Sequence, residues 1–215
     1  MTWYANRVYI NATPAVLERL GRESALDGHI FLLTGALPAS WRPDSGEVRL
    51  PASGLVVVKE IGAPEDPAEV MDPQRLHSWY RKDEFLSWDV LHGPPDIDVL
   101  EGAHIHDLVR EAPPAPFLRY LKALHAATGA PVTYYLGATW GGDIEREYAW
   151  VFDGREVVYA FTSDTSTIEL DAHGRRERSE GVLPLALAHH GIQLPSPYFV
   201  PHRTTFDWAR YRLSK

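Results

Sequence analysis

Two glycine-centred breaks constrain this chain most. In the run from Leu136 to Phe161, LGATWGGDIEREYAWVFDGREVVYAF, β-favouring residues are interrupted at Gly141-Gly142 and again at Asp153-Gly154. Type I′ turns need positive φ at both central positions, which such dipeptides supply. The pattern predicts a three-stranded antiparallel meander over 131–161. With two-residue turns the register follows by counting. Trp140 faces Asp143, Leu136 faces Glu147, Tyr134 faces Ala149 and Val132 faces Val151; across the second turn Val151 faces Glu156, Ala149 faces Val158 and Glu147 faces Ala160. Alternation then separates two faces. One carries Val132, Tyr134, Leu136, Ala149, Val151, Val158 and Ala160, small enough at the alanines for a helix to approach. The other carries Thr133, Tyr135, Arg146, Tyr148, Trp150, Val157, Tyr159 and Phe161, a broad aromatic surface. These glycines do not form a phosphate loop, because no helix follows and no Gly-Lys-Ser/Thr is present.

The flanks add helices and further strands. Arg7 to Asn11 alternates as a half-buried strand, with Val8 and Ile10 inward. Thr13-Pro14 opens a helix with Val16, Leu17 and Leu20 on its stripe and Gly21 at its end. Ile30–Thr34 reads as a strand, and Leu55–Val58 as one buried on both faces. Pro116 and Gly129 bracket a helix whose Phe117, Leu118, Tyr120, Leu121 and Leu124 share a face. It is expected on the Ala149/Ala160 side of the meander, with His125 at the rim in a structural role. A second hairpin joins Thr167–Leu170 to Arg175–Glu180. Leu183–His190 is a short helix, and the aromatic tail FDWARYRL docks on the domain. Residues 62–116, Pro-rich from Pro64 to Pro116, are irregular apart from a helix suggested over Arg75–Ser87. The expectation is one α+β domain over 1–215. Its sheet is antiparallel, a mixed sheet being the alternative, with a meander at 131–161 and helices packed on one face.

Composition narrows the function. The chain has 215 residues, enough for a real core, and a net charge of −8. That charge disfavours nucleic acid and anionic membrane. The one basic cluster, Arg175-Arg176-Glu177-Arg178, reads as a solvated hairpin arm. The absence of cysteine excludes disulfides and thiolate chemistry. The N-terminus lacks a signal-peptide pattern and no apolar run is long enough to span a bilayer, so the expected location is the cytoplasm.

Three clusters could carry chemistry. Asp143, Glu145 and Glu147 sit at the Gly-Gly end of the meander, with Glu145 and Glu147 expected on one strand face. They could hold Mg²⁺ or divide acid and base roles, but no lysine follows them as in nuclease-like sites, and exposed solubilising acids are the simpler reading. His104 and His106 would point the same way on a strand, a metal-compatible spacing with too few further ligands. His189 and His190 diverge by about 100° on a helix and do not converge on one ion. No Gly-x-Ser-x-Gly elbow is present. The expectation is no metal and no cofactor.

The helix, TGAPVTYY and the Gly-Gly hairpin of Phe117–Phe161 resemble small bacterial immunity proteins that neutralise polymorphic or contact-delivered toxins. WYANRVYINATPAVLERL is similar to the first strand and helix of ferredoxin-like phage and bacterial proteins. The resemblance implies a cytosolic, non-enzymatic α+β protein that binds one protein partner. The acidic balance suits a basic toxin domain. The expected partner-binding residues are Trp140 as anchor with Asp143, Glu145 and Glu147 around it. The alternative is a small-molecule enzyme using Tyr135, Arg146, Tyr148, Trp150 and Tyr159 as a pocket. The oligomeric state is open.

Overall fold

A computed structural model describes residues 3–40, 45–59, 61, 86–109, 112–140, 143–162, 166–195, 198–203 and 205–213. The suggested helix at 75–87 falls almost wholly outside them, as do Gly141 and Gly142. In chain order the elements are β1 (Trp3–Asn11), α1 (Pro14–Gly21), β2 (Ile30–Leu33), β3 (Ala36–Pro38), β4 (Glu47–Arg49), β5 (Leu55–Lys59), α2 (Ala103–His106) and α3 (Ala115–Thr128). Then come β6 (Val132–Trp140), β7 (Asp143–Phe152), β8 (Glu156–Phe161), β9 (Thr167–Asp171), β10 (Gly174–Arg178) and α4 (Val182–Ala188). Among the described residues eight strands form one antiparallel sheet in the order β10-β9-β8-β7-β6-β1-β5-β2; β3 and β4 pair separately. The fold is α+β, and β6 to β10 run as a continuous meander.

Local sequence explains the helix ends. Thr13 caps α1 by accepting the Val16 N–H, with Pro14 in the first turn. Gly129 closes α3 at φ 67°, a left-handed conformation open to glycine at little cost. The buried side of α3 is Phe117, Leu118, Tyr120, Leu121 and Leu124, the expected set.

Helices cover both faces of the sheet rather than one. On the first face α1 and α3 meet Val8, Ile10, Tyr134, Leu136, Tyr148, Trp150, Val158 and Ala160. On the second, α4 and the chain from Phe199 onward meet Tyr9, Tyr135, Ala149, Val151, Val157 and Tyr159. Between β6 and β7 the register shifts at Ala138/Thr139: Ala138 pairs with Arg146, but Thr139 with Ile144, so Glu145 is bulged. Trp140 faces Asp143 as expected, yet beyond the bulge Leu136 faces Tyr148, Tyr134 faces Trp150 and Val132 faces Phe152. The β7–β8 turn has three residues, since Phe152 pairs with Glu156. Because side chains alternate, a one-residue slip moves all of β7 to the opposite face. Trp150 therefore packs under α3, and Ala149 leaves room for α4 instead.

β1 is buried on both faces, with Arg7 3% and Tyr9 0% exposed, because the C-terminal segment lies over its polar side. There Phe199 meets Tyr9 edge-on at 6.1 Å and Trp208 takes the Arg7 guanidinium 4.8 Å above its ring. The tail docks as expected: Leu213 N–H donates to the Ile30 carbonyl at 3.1 Å, and Arg212 bridges Phe31. Among the described residues no helix is long and apolar enough to cross a membrane.

Candidate functional site

Three groups of polar side chains stand out. The first is the far end of the β6–β7 hairpin. β8 accompanies β7 only from Tyr148 to Phe152. Thr162 and Ser166 then bond across the β8–β9 connection at 3.0 Å, turning the chain away. Asp143 and Glu145 extend past that point and are exposed, with Ile144 and Arg146 half-buried. The bulge turns Glu145 out of the alternation. The expected pairing of Glu145 with Glu147 on one face does not occur. Trp140 sits in the ladder opposite Asp143, while its side chain lies outside the described residues.

Glu147 is the centre of the second group. It is 5% exposed, opposite Gly137, whose missing side chain leaves it room on the second face. The Tyr135 hydroxyl donates to it at 2.7 Å, and the Leu183 N–H in the first turn of α4 donates as well. Burial pushes its carboxyl up to about 7 against those two bonds. Glu147 is thus an internal strut, not part of an acidic surround. Beside it His202 stacks on Tyr135 at 5.2 Å and meets the Tyr9 hydroxyl at 2.5 Å. Arg7 donates to the Pro201 carbonyl at 2.7 Å. Burial, then the Arg7 charge, holds His202 well below the usual imidazole range. His190, buried, spans Thr133 Oγ1 at 2.8 Å and Asn11 Oδ1 at 2.9 Å, and burial lowers it to about 3.

The third group lies at the β7–β8 turn. His189 Nδ1 donates to Asp153 at 3.0 Å, and Nε2 meets the Tyr159 hydroxyl at 3.0 Å. The order acid–imidazole–hydroxyl has the form of a relay. However, Tyr159 is 3% exposed and burial raises its phenol, so the relay ends inside the protein. α4 ends at Ala188, short of the expected His190, and the two histidines just past it diverge to Asp153 and Asn11 respectively. Around the corner is a cavity of about 420 Å³ between Leu100, Lys122, Phe152 and Arg155. Its cations are engaged: Lys122 with Glu156 at 2.8 Å and Arg155 with Asp171 at 3.1 Å. His125 links Ala130 O to the Gly154 N–H and is structural.

Glu156, which no sequence motif marks, accepts from Leu100 N–H, Trp150 Nε1 and Lys122. Glu156→Ala strands the buried indole N–H. It should lower stability by about 1–3 kcal/mol in urea titrations. An unchanged midpoint would contradict this hub.

The expected alternative pocket is divided by the sheet: Tyr135 and Tyr159 lie on the second face, Tyr148 and Trp150 on the first. His104 and His106 fall in the one-turn helix α2, where strand alternation does not apply. Among the described residues no three His, Asp or Glu side chains converge on a possible ion site. No family model, curated protein or solved structure matches the chain.

Proposed function

We propose that this chain is a non-enzymatic protein-binding protein of the immunity type, which neutralises a basic toxin domain. The observation that carries this reading is the hairpin end, where Asp143 and Glu145 are exposed and run past the stretch of β7 that pairs with β8 among the described residues. Acidic groups placed there steer a basic partner and raise its association rate. The net charge of −8 acts in the same direction. The carboxyl and imidazoles displaced from their ordinary behaviour by burial, Glu147, His190 and His202, bond to other side chains inside the fold. Perturbed groups can mark catalysis, but here they join β1, β6, α4 and the C-terminal segment.

The test is recovery of the tagged chain from the cells that make it. One basic protein should copurify in stoichiometric amount and should be toxic when expressed without this chain. Protection should weaken for the Asp143→Lys/Glu145→Lys double variant. A partner that is harmless alone, or protection indifferent to the reversal, would overturn the reading.

A further inference from the structure

The two edges of the large sheet are finished differently. At β2 the tail closes the edge through Arg212 and Leu213. At the other end β10 is the last strand among the described residues, and Arg175, Arg176 and Glu177 are all exposed. The inner side of β10 is held firmly: Arg176 pairs with Glu169 at 2.8 Å and with Asp171, and Arg178 pairs with Glu169 at 3.2 Å. Among the described residues Arg175 and Glu177 have no such partner.

The β9–β10 turn fixes which backbone groups are free. Asp171 pairs with Gly174 across the two-residue turn Ala172-His173, so those two residues exchange hydrogen bonds. Alternation then directs the N–H and C=O of Gly174, Arg176 and Arg178 to β9. Those of Arg175 and Glu177 point outward. The side chains of Arg175 and Glu177 share one face.

We propose that β10 pairs antiparallel with β10 of a second copy of this chain, about a two-fold axis at Arg176, joining two sheets into one. The register is selective. A two-fold axis at Arg175 or at Glu177 sets like charges opposite each other and uses one outward residue in the centre. An axis at Arg176 uses both and places Arg175 opposite the partner's Glu177 in each half. The two Arg176 side chains that meet at the axis are each ion-paired within their own chain to Glu169 and Asp171, which they share with Arg155 and Arg178. Charged edge strands ordinarily resist pairing because like charges meet; this pattern is self-complementary instead. One five-residue strand per chain makes a small interface, so the dimer is weak and concentration-dependent.

Sedimentation velocity over a wide concentration range tests it, with circular dichroism confirming that each variant is folded. The wild-type chain should pass from monomer to dimer. Arg175→Glu and Glu177→Arg should each weaken self-association by about tenfold or more, since each makes both cross-strand pairs repulsive. An equimolar mixture of the two variants should form a heterodimer, because every pair is then opposite in charge. A wild-type chain that stays monomeric throughout overturns the proposal. So do single variants that dimerise as tightly as wild type, or a mixture that does not associate.

Discussion

Gly93→Ala is expected to destabilise the protein by about 3 kcal/mol. Gly93 crosses the first turns of α3, where its N–H donates to the Pro116 carbonyl at 2.9 Å. A methyl group built there lies 2.2 Å from both the Arg119 carbonyl carbon and the Tyr120 nitrogen. Both are backbone atoms of a helix, which cannot swing aside as a side-chain tip can. Either the loop lifts or α3 shifts. Lifting the loop withdraws Leu91, 3% exposed, from the core, and loosens the neighbouring Leu100 N–H bond to Glu156. In a chain of this size the midpoint of thermal unfolding should fall by roughly 6–12 °C. Gly21→Ala is the control: nothing lies within 4 Å of its added methyl, and its midpoint should hardly move. A Gly93→Ala midpoint equal to that of the control would contradict the close crossing.

The second large effect is a dependence on pH. Glu147 titrates near 7 in the fold against an ordinary 4.5. Its folded-state value is raised, so the unfolded chain gives up the proton first as pH rises. The stabilising contribution is full below about pH 4.5 and is lost as pH climbs through about 7, by roughly 2–3 kcal/mol between pH 5 and pH 8. His190 and His202 have the opposite sign. Their folded values are depressed, so their contribution is full above the ordinary 6.5 and falls as pH drops toward the folded value, about 3 for His190. Glu147→Gln separates the two effects. Gln keeps an acceptor for the Tyr135 hydroxyl and cannot ionise. The variant should match wild type near pH 5 and exceed it by about 2–3 kcal/mol near pH 8. Parallel urea-unfolding profiles for the two proteins across that range would show that Glu147 is not a buried acid.

The parts of the fold that local chemistry decides were readable in the sequence. Thr13-Pro14 and Gly129 mark helix ends through hydrogen bonding and φ alone, and the spacing of Phe117, Leu121 and Leu124 marks a buried side. The meander was readable too, because Gly141-Gly142 and Asp153-Gly154 break the strands. The register was not. A bulge at Glu145 depends on how β7 settles against β6, and nothing in IEREY distinguishes the bulged residue from its neighbours. That one extra residue moved Trp150 under α3 and took Glu147 inside. The polar centre was hidden for another reason. Arg7 and Tyr9 look solvent-facing until Pro201 and His202, nearly two hundred positions away, arrive over them. Of the expected acidic surround, Asp143 and Glu145 are on the surface and Glu147 is not. The backbone of Trp140 is placed opposite Asp143.

That division yields the most direct measurement: the association rate, at low and high salt, of the chain with the basic partner that the proposed function expects to copurify. We expect the Asp143→Lys/Glu145→Lys variant to associate about tenfold or more slowly at low salt. The difference should shrink as salt screens the surface charges. Glu147→Gln, altered only inside the fold, should associate at the wild-type rate. Equal rates for the wild-type chain and the hairpin-end variant, or a slowing confined to Glu147→Gln, would contradict the account.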